Sequence, residues 1–157
     1  PGGPSSIWRY QGVIRKAIIA LKYKFATDIA DELIGYISLV PSAQTLVPIP
    51  SHWYKENLRG FNQAELLGEK LALKMGWKFI PDLLIKKKST ISQVELKGPA
   101  RRKNLRGAFS LNTKYQILDI GYVVFDDVYT TGSTLKEAMR TLRAAGAQKV
   151  WGLTIAR

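Results

Sequence analysis

The chain has 157 residues, 46% of them hydrophobic, with a net charge of +12 from 24 Lys and Arg against 12 Asp and Glu. That length predicts one domain, residues 1–157, able to bury a real core. Cysteine is absent, which excludes disulfides and thiolate metal centres, and a single histidine argues against a structural zinc site.

The start, Pro1-Gly2-Gly3-Pro4-Ser5-Ser6, has neither the charged nor the apolar region of a signal peptide. It reads as a disordered lead, residues 1–6. No apolar run approaches the ~18–20 residues that cross a membrane, so no membrane insertion and a cytoplasmic location are expected. Val13, Ile14, Ala17, Ile18 and Leu21 then recur at helical spacing, with Arg15, Lys16 and Lys22 off the stripe. Thr27 or Asp28 caps a second helix through Ala30, Leu33, Ile34 and Ile37, stopped by Pro41.

Leu46-Val47-Pro48-Ile49-Pro50-Ser51-His52 is a short apolar strand running into proline, and two prolines forbid its continuing as a central strand. Asn62 with Glu65 three residues on is a capping pattern for a helix along Ala64, Leu67, Leu71 and Met75, ended by Gly76. Short strands are predicted at Trp77–Ile80 and Leu83–Ile85. From Lys86 to Arg106 come eight basic residues (Lys86, Lys87, Lys88, Lys97, Arg101, Arg102, Lys103, Arg106) against one acid, Glu95, so this stretch supplies +7 of the net charge. Such a concentration argues for an anionic partner there, and a loop of about 20 residues without periodicity is usually functional or disordered.

Tyr122 to Phe125 has the β-branched and aromatic content of a strand covered on both faces. Asp126 and Asp127 follow, then Val128-Tyr129, then Thr130-Thr131-Gly132-Ser133-Thr134, and then a helix carrying Leu135, Ala138, Met139 and Leu142 to about Ala145, with Gly146 as its stop. Backbone N–H groups and hydroxyls at a helix N-terminus suit a phosphate, and Gly132 lets the backbone approach it closely. The two carboxylates would repel a phosphate; they are better placed to accept hydrogen bonds from vicinal sugar hydroxyls. Two plainer readings stay open: the turn as a helix cap, and the Asp pair as a Mg²⁺ site. The turn is not the ATPase phosphate loop, which ends in Gly-Lys. A last strand lies around Val150–Ile155. Strands alternating with helices predict an α/β fold with a parallel sheet, in which ligands sit beyond the carboxyl ends of the strands.

The run from the apolar strand through Asp-Asp to Thr-Thr-Gly-Ser-Thr resembles the motif by which type I phosphoribosyltransferases hold 5-phosphoribosyl 1-diphosphate (PRPP). Over nearly the whole chain the sequence resembles ComF-type phosphoribosyltransferase-like proteins, associated with DNA uptake in competent bacteria. The matching residues are Tyr10, Gly12, Arg15, Leu21-Lys22-Tyr23, Val47-Pro48-Ile49-Pro50, Arg59-Gly60-Phe61-Asn62-Gln63-Ala64, Thr90, Gln93, Leu96, Arg101, Asn104, Gly107-Ala108-Phe109 and the PRPP motif. Full-length relatives often begin with a cysteine-rich zinc-binding segment that this chain lacks, so it is either truncated or a shorter variant.

The resemblance implies a type I phosphoribosyltransferase-like twisted sheet flanked by helices. It implies that Pro48, Ile49, Pro50, Ser51 and His52, with Arg59, bind diphosphate through an unusual peptide geometry. Residues 86–106 would be a flexible loop closing over PRPP. Thr130, Thr131, Gly132, Ser133 and Thr134 would hold the ribose 5-phosphate, and Asp126 and Asp127 the ribose hydroxyls; Tyr129 has no assigned role. Lys88, Arg101 and Arg102 would meet charge developing on the departing diphosphate, and Asp126 or Asp127 the positive sugar centre. Mg²⁺ would arrive through PRPP and water, with no direct protein ligand. The implied partners are PRPP and an unidentified nitrogen acceptor, with a homodimer left open. A second class of function competes: a PRPP-binding module that handles single-stranded DNA or meets a protein of the competence machinery, since DNA also seeks a basic groove with aromatics. Individual residues have plainer roles as well: Arg59 pairing with Glu56, Asn62 capping a helix, His52 exposed, and the four tryptophans in packing.

Overall fold

The computed structural model describes residues 4–24, 27–38, 40–51, 61–87 and 106–157. In chain order they form β1 (Ser5–Trp8), α1 (Gly12–Lys24), α2 (Thr27–Gly35), β2 (Thr45–Pro48), α3 (Gln63–Met75), β3 (Lys78–Phe79), β4 (Leu84–Lys86), β5 (Phe109–Leu111), β6 (Gly121–Val128), α4 (Ser133–Ala144) and β7 (Lys149–Ala156). A five-stranded sheet runs in the order β1-β7-β6-β2-β3, and every neighbouring pair in it is parallel. β4 and β5 make a separate antiparallel pair.

The apolar run 122–125 is fully buried because the sheet is covered on both sides. Tyr122 and Val124 pack with Leu135, Ala138, Met139 and Leu142 of α4 and with Phe109 of β5. Val123 and Phe125 face the other way, into Ile18 and Leu21 of α1, residues of α2, and Leu67 and Leu71 of α3. α3 lies close on its side: a Cβ on Gly68 would stand 2.8 Å from Leu46 Cδ2 and 3.3 Å from Phe125 Cδ1.

Chain direction explains where a ligand can enter. From β2 the chain passes through α3 to β3, toward one edge; from β6 it passes through α4 to β7, toward the other. The strand order therefore reverses between the neighbours β2 and β6, with their helices on opposite faces, and this leaves a crevice outside their carboxyl ends.

Local signals placed several ends correctly. Asn62 caps α3, its Oδ1 accepting the Ala64 N–H at 3.0 Å, and Gly76 closes it with φ +67°. Other expectations are corrected. Ser5 and Ser6 are not a disordered lead but the first half of β1, paired with Leu153 and Thr154; the Ser6 and Thr154 hydroxyls meet at 2.7 Å. The second helix stops at Gly35 rather than running through Ile37, because the Lys74 ammonium donates to the carbonyls of Ile34, Gly35 and Ile37. Lys86, counted with the basic loop, lies in β4, and β5 is a strand the sequence reading did not contain. β6 extends past Phe125 to Val128, so both aspartates belong to the strand.

Candidate functional site

Two chain segments leave the sheet at the reversal point. β2 pairs with β6 through Pro48 opposite Phe125, and the pairing continues one residue further, the Ile49 N–H donating to the Phe125 carbonyl at 2.8 Å. The Ile49 carbonyl in turn accepts from Asn62 Nδ2 at 3.0 Å. Ile49 is thus tied to β6 on one side and to the start of α3 on the other, with its side chain in the core. Pro48 is buried as well. Neither proline has an N–H to offer an anion. Of the residues expected to bind diphosphate, Pro48 and Ile49 are therefore committed to the sheet. Pro50 and Ser51 reach the rim, half-buried. None of the described peptide bonds is cis; the segment expected to carry an unusual peptide geometry, Pro48 to His52, is described only as far as Ser51. His52 and Arg59 lie outside the described residues, as do Lys88, Arg101 and Arg102.

The β6 segment brings the acids and the hydroxyl-rich turn to the same rim. Asp126 and Asp127 follow Phe125 at the carboxyl end of β6; beyond them Val128 packs on the Phe125 side and Tyr129 on the Val124 side. Each carboxylate also holds the next backbone amide: Asp126 Oδ1 accepts the Asp127 N–H at 2.9 Å, and Asp127 Oδ1 the Val128 N–H at 2.8 Å. The two acids are half-buried at the strand's end, where the faces meet over the crevice.

Beyond them the chain turns into α4. The first intrahelical bond runs from the Lys136 N–H to the Gly132 carbonyl at 2.9 Å, so the amides of Ser133, Thr134 and Leu135 begin the helix without an intrahelical acceptor. Gly132 occupies the N-cap with φ +69° and so supplies no capping side chain. The helix-cap reading rests instead on Thr131, whose hydroxyl lies 2.8 Å from that of Ser133 and a long 3.4 Å from its N–H. The result is a helix end whose donors and exposed hydroxyls face the rim, the arrangement that favours an anion.

Three further residues bear on the site. Tyr129, in the middle of the motif, lies across Gly132: a Cβ there would be 2.3 Å from the ring. The Arg157 guanidinium sits over that ring, 5.2 Å from its centroid. Glu137, buried on α4, accepts from Nε and Nη2 of Arg140, at 2.9 and 2.6 Å, and from the Gly107 N–H at 2.7 Å. Arg140, then the Gly107 amide, hold the Glu137 carboxyl below the ordinary glutamate range against the opposing effect of burial. Sequence spacing carries no signal for the Arg157–Tyr129 and Glu137–Gly107 contacts, which join separate elements; the Glu137–Arg140 pair, three residues apart on α4, is a local one.

No protein-family model matches the chain. It is 39% identical over 116 residues to competence protein F of Haemophilus influenzae, covering 70% of this chain and 49% of that protein. To the DNA utilization protein YhgH of Salmonella typhi it is 34% identical over 116 residues, covering 73% of this chain and 50% of that protein. To competence protein ComFC of Bacillus subtilis it is 29% identical over 160 residues, covering 97% and 63%. The chain spans about half the length of the first two of these curated relatives. Its fold is similar to that of the glutamine phosphoribosylpyrophosphate amidotransferase from B. subtilis, with a TM-score of 0.51 at 18% identity, covering 82% of this chain and 25% of that one.

Proposed function

Because this is a ComF-type chain with a phosphoribosyltransferase fold, we propose that it binds PRPP in the crevice between β2 and β6 and transfers the phosphoribosyl group to a nitrogen nucleophile. The observation that carries this reading is one of placement: at the point where strand order reverses, Asp126 and Asp127 stand on the same rim as the open amides of α4. Those amides and the hydroxyls of Thr130, Thr131, Ser133 and Thr134 would hold the 5-phosphate, and the acids would accept from the ribose hydroxyls. Ser51, at the facing edge, would meet the diphosphate.

In the reaction the nitrogen lone pair forms a bond to C1 of the ribose as the bond from C1 to the diphosphate oxygen breaks. Diphosphate leaves with that electron pair, and the nitrogen gives up its proton to water. Positive charge grows on the sugar ring as the bond lengthens, and a carboxylate below the ring favours it. Two carboxylates, Asp126 and Asp127, stand at this rim, and among the described residues no group of three or more His, Cys, Asp or Glu side chains gathers. Such a donor set fits a Mg²⁺ that comes with PRPP, held by substrate oxygens and water and at most one of these carboxylates. Bound there, the metal would offset charge on the leaving diphosphate.

Calorimetric titration with PRPP and Mg²⁺ tests the pocket, and loss of binding in Asp126→Ala is the expected result. Diphosphate release on adding a panel of bases and amines tests the transfer. PRPP binding without release from any acceptor would favour the second reading, a PRPP-binding module that handles single-stranded DNA. That reading draws on the +7 carried by residues 86–106 and on relatives named for competence and DNA utilization. DNA affinity with a steep salt slope, lost when Arg101 and Arg102 are neutralised, would support it. Among the described residues no helix is long and apolar enough to cross a membrane.

A further inference from the structure

Arg157 is fixed in an unusual place. Its N–H donates to the Trp8 carbonyl at 2.9 Å and its carbonyl accepts the Tyr10 N–H at 2.6 Å, so its backbone is stapled to the exit of β1. On the other side, the Tyr129 N–H donates to the Ala156 carbonyl at 2.8 Å, which carries the β6–β7 pairing one residue past the strand and sets Tyr129 beside Arg157. The side chain is exposed, yet its guanidinium lies over the Tyr129 ring. That ring also packs against Gly132, the N-cap of α4. One aromatic side chain therefore joins a cation to the turn that opens the helix, on the same rim as the two aspartates.

A cation–π contact at an exposed site adds little stability; its effect is orientation. The ring lies beside the guanidinium, a group whose N–H edge forks onto two oxygens of a carboxylate or phosphate. Among the described residues no carboxylate forms an ion pair with Arg157.

We propose that Arg157 reads a two-oxygen anionic group, phosphate or carboxylate, on the molecule held in the crevice, and that Tyr129 is the positioning residue that aims it. This rests on the phosphoribose reading above. The group has two sources: the 5-phosphate of the sugar, or an acidic substituent on the nitrogen acceptor.

The experiment compares the full chain with Arg157→Gln, Arg157→Lys, Tyr129→Phe and Tyr129→Leu, each first checked for an unchanged unfolding midpoint. Ribose 5-phosphate and PRPP are titrated by calorimetry. Diphosphate release is then followed with neutral and carboxylated nucleophiles in pairs, nicotinamide against nicotinate and aniline against anthranilate. If the 5-phosphate is the partner, Arg157→Gln weakens ribose 5-phosphate about tenfold, Arg157→Lys recovers part of this, Tyr129→Phe matches the parent and Tyr129→Leu falls between. If the acceptor is the partner, sugar phosphate binding is unchanged and Arg157→Gln erases a preference for the carboxylated nucleophiles. Parent-like behaviour of Arg157→Gln in both arms overturns the proposal alone. A parent chain that binds neither ribose 5-phosphate nor PRPP overturns the phosphoribose reading, and this proposal with it.

Discussion

The Glu137 carboxylate on α4 accepts the backbone N–H of Gly107, thirty residues earlier in the chain, at 2.7 Å. Gly107 has φ +74° and stands just ahead of Phe109, where β5 begins. The helix that starts at the hydroxyl-rich turn thereby grips the return of the chain from the basic segment. Replacing Glu137 by Ala removes the acceptor from that amide and from a mostly exposed Arg140, with an expected loss of about 1–3 kcal/mol in urea unfolding. The effect depends on pH with a definite sign. Arg140 and the Gly107 amide depress the carboxyl pKa in the folded chain, so the stabilisation is complete above the ordinary glutamate value of about 4.3. It disappears as pH falls through the lower folded value. The gap between parent and Glu137→Ala should therefore close in strong acid and stay constant from pH 5 to 8.

Gly132 is constrained twice, by its φ of +69° and by the Tyr129 ring at 2.3 Å from a Cβ. The left-handed conformation alone costs an alanine about 1–2 kcal/mol, and the ring must move besides. Gly132→Ala should lower stability by more than that conformational cost and weaken PRPP binding. In a double-mutant cycle with Tyr129→Ala the combined loss should be smaller than the sum, because the second change removes the obstacle. Strict additivity would mean that the ring and the glycine do not meet.

Asn62 has two tasks, and two substitutions separate them. Its Oδ1 caps α3 while its Nδ2 holds the Ile49 carbonyl at the exit of β2. Asn62→Ala loses both and should cost about 1–2 kcal/mol. Asn62→Asp keeps the cap but cannot donate to Ile49, so it should retain most of the helix's stability while PRPP affinity falls as in Asn62→Ala. Equal PRPP affinity in parent and Asn62→Asp would show that the Ile49 contact does not shape the rim.

At Gly68 two effects of opposite sign compete. Alanine improves helix propensity by about 1 kcal/mol, yet its methyl would sit 2.8 Å from Leu46 Cδ2 in the core. Overpacking of this kind costs about 1–3 kcal/mol, so Gly68→Ala should be destabilising on balance, as measured by thermal unfolding. A more stable variant would mean that Leu46 shifts without resistance.

Elements with short-range signals were legible before any coordinates. The buried run 122–125, the Asn62 cap, the Gly76 stop and the turn into α4 depend on neighbours within a few positions. β1 was not legible, because Ser5-Ser6-Ile7-Trp8 has no strong alternation and owes its form to β7. β5 was hidden for a similar reason, being three residues long and defined by its partner β4. At the site, the motif from Asp126 to Thr134 was readable, whereas the commitment of Pro48 and Ile49 to the sheet was not: only the β2–β6 register shows that Ile49 still pairs with Phe125. The contact between Tyr129 and Arg157 was not legible, because it is made by strand pairing rather than by spacing along the chain.

The hydroxyls of Ser6 and Thr154 meet across 148 positions, which bears on how the protein is made. A ribosome delivers β1 well before β7, its sheet neighbour among the described residues. A nascent chain arrested before Lys149 would hold an unpaired β1 beside a β6 with one flank open. Assembly is therefore expected to proceed outward from β6 and to finish with the pairing of β1, a non-local closure of the kind that slows folding.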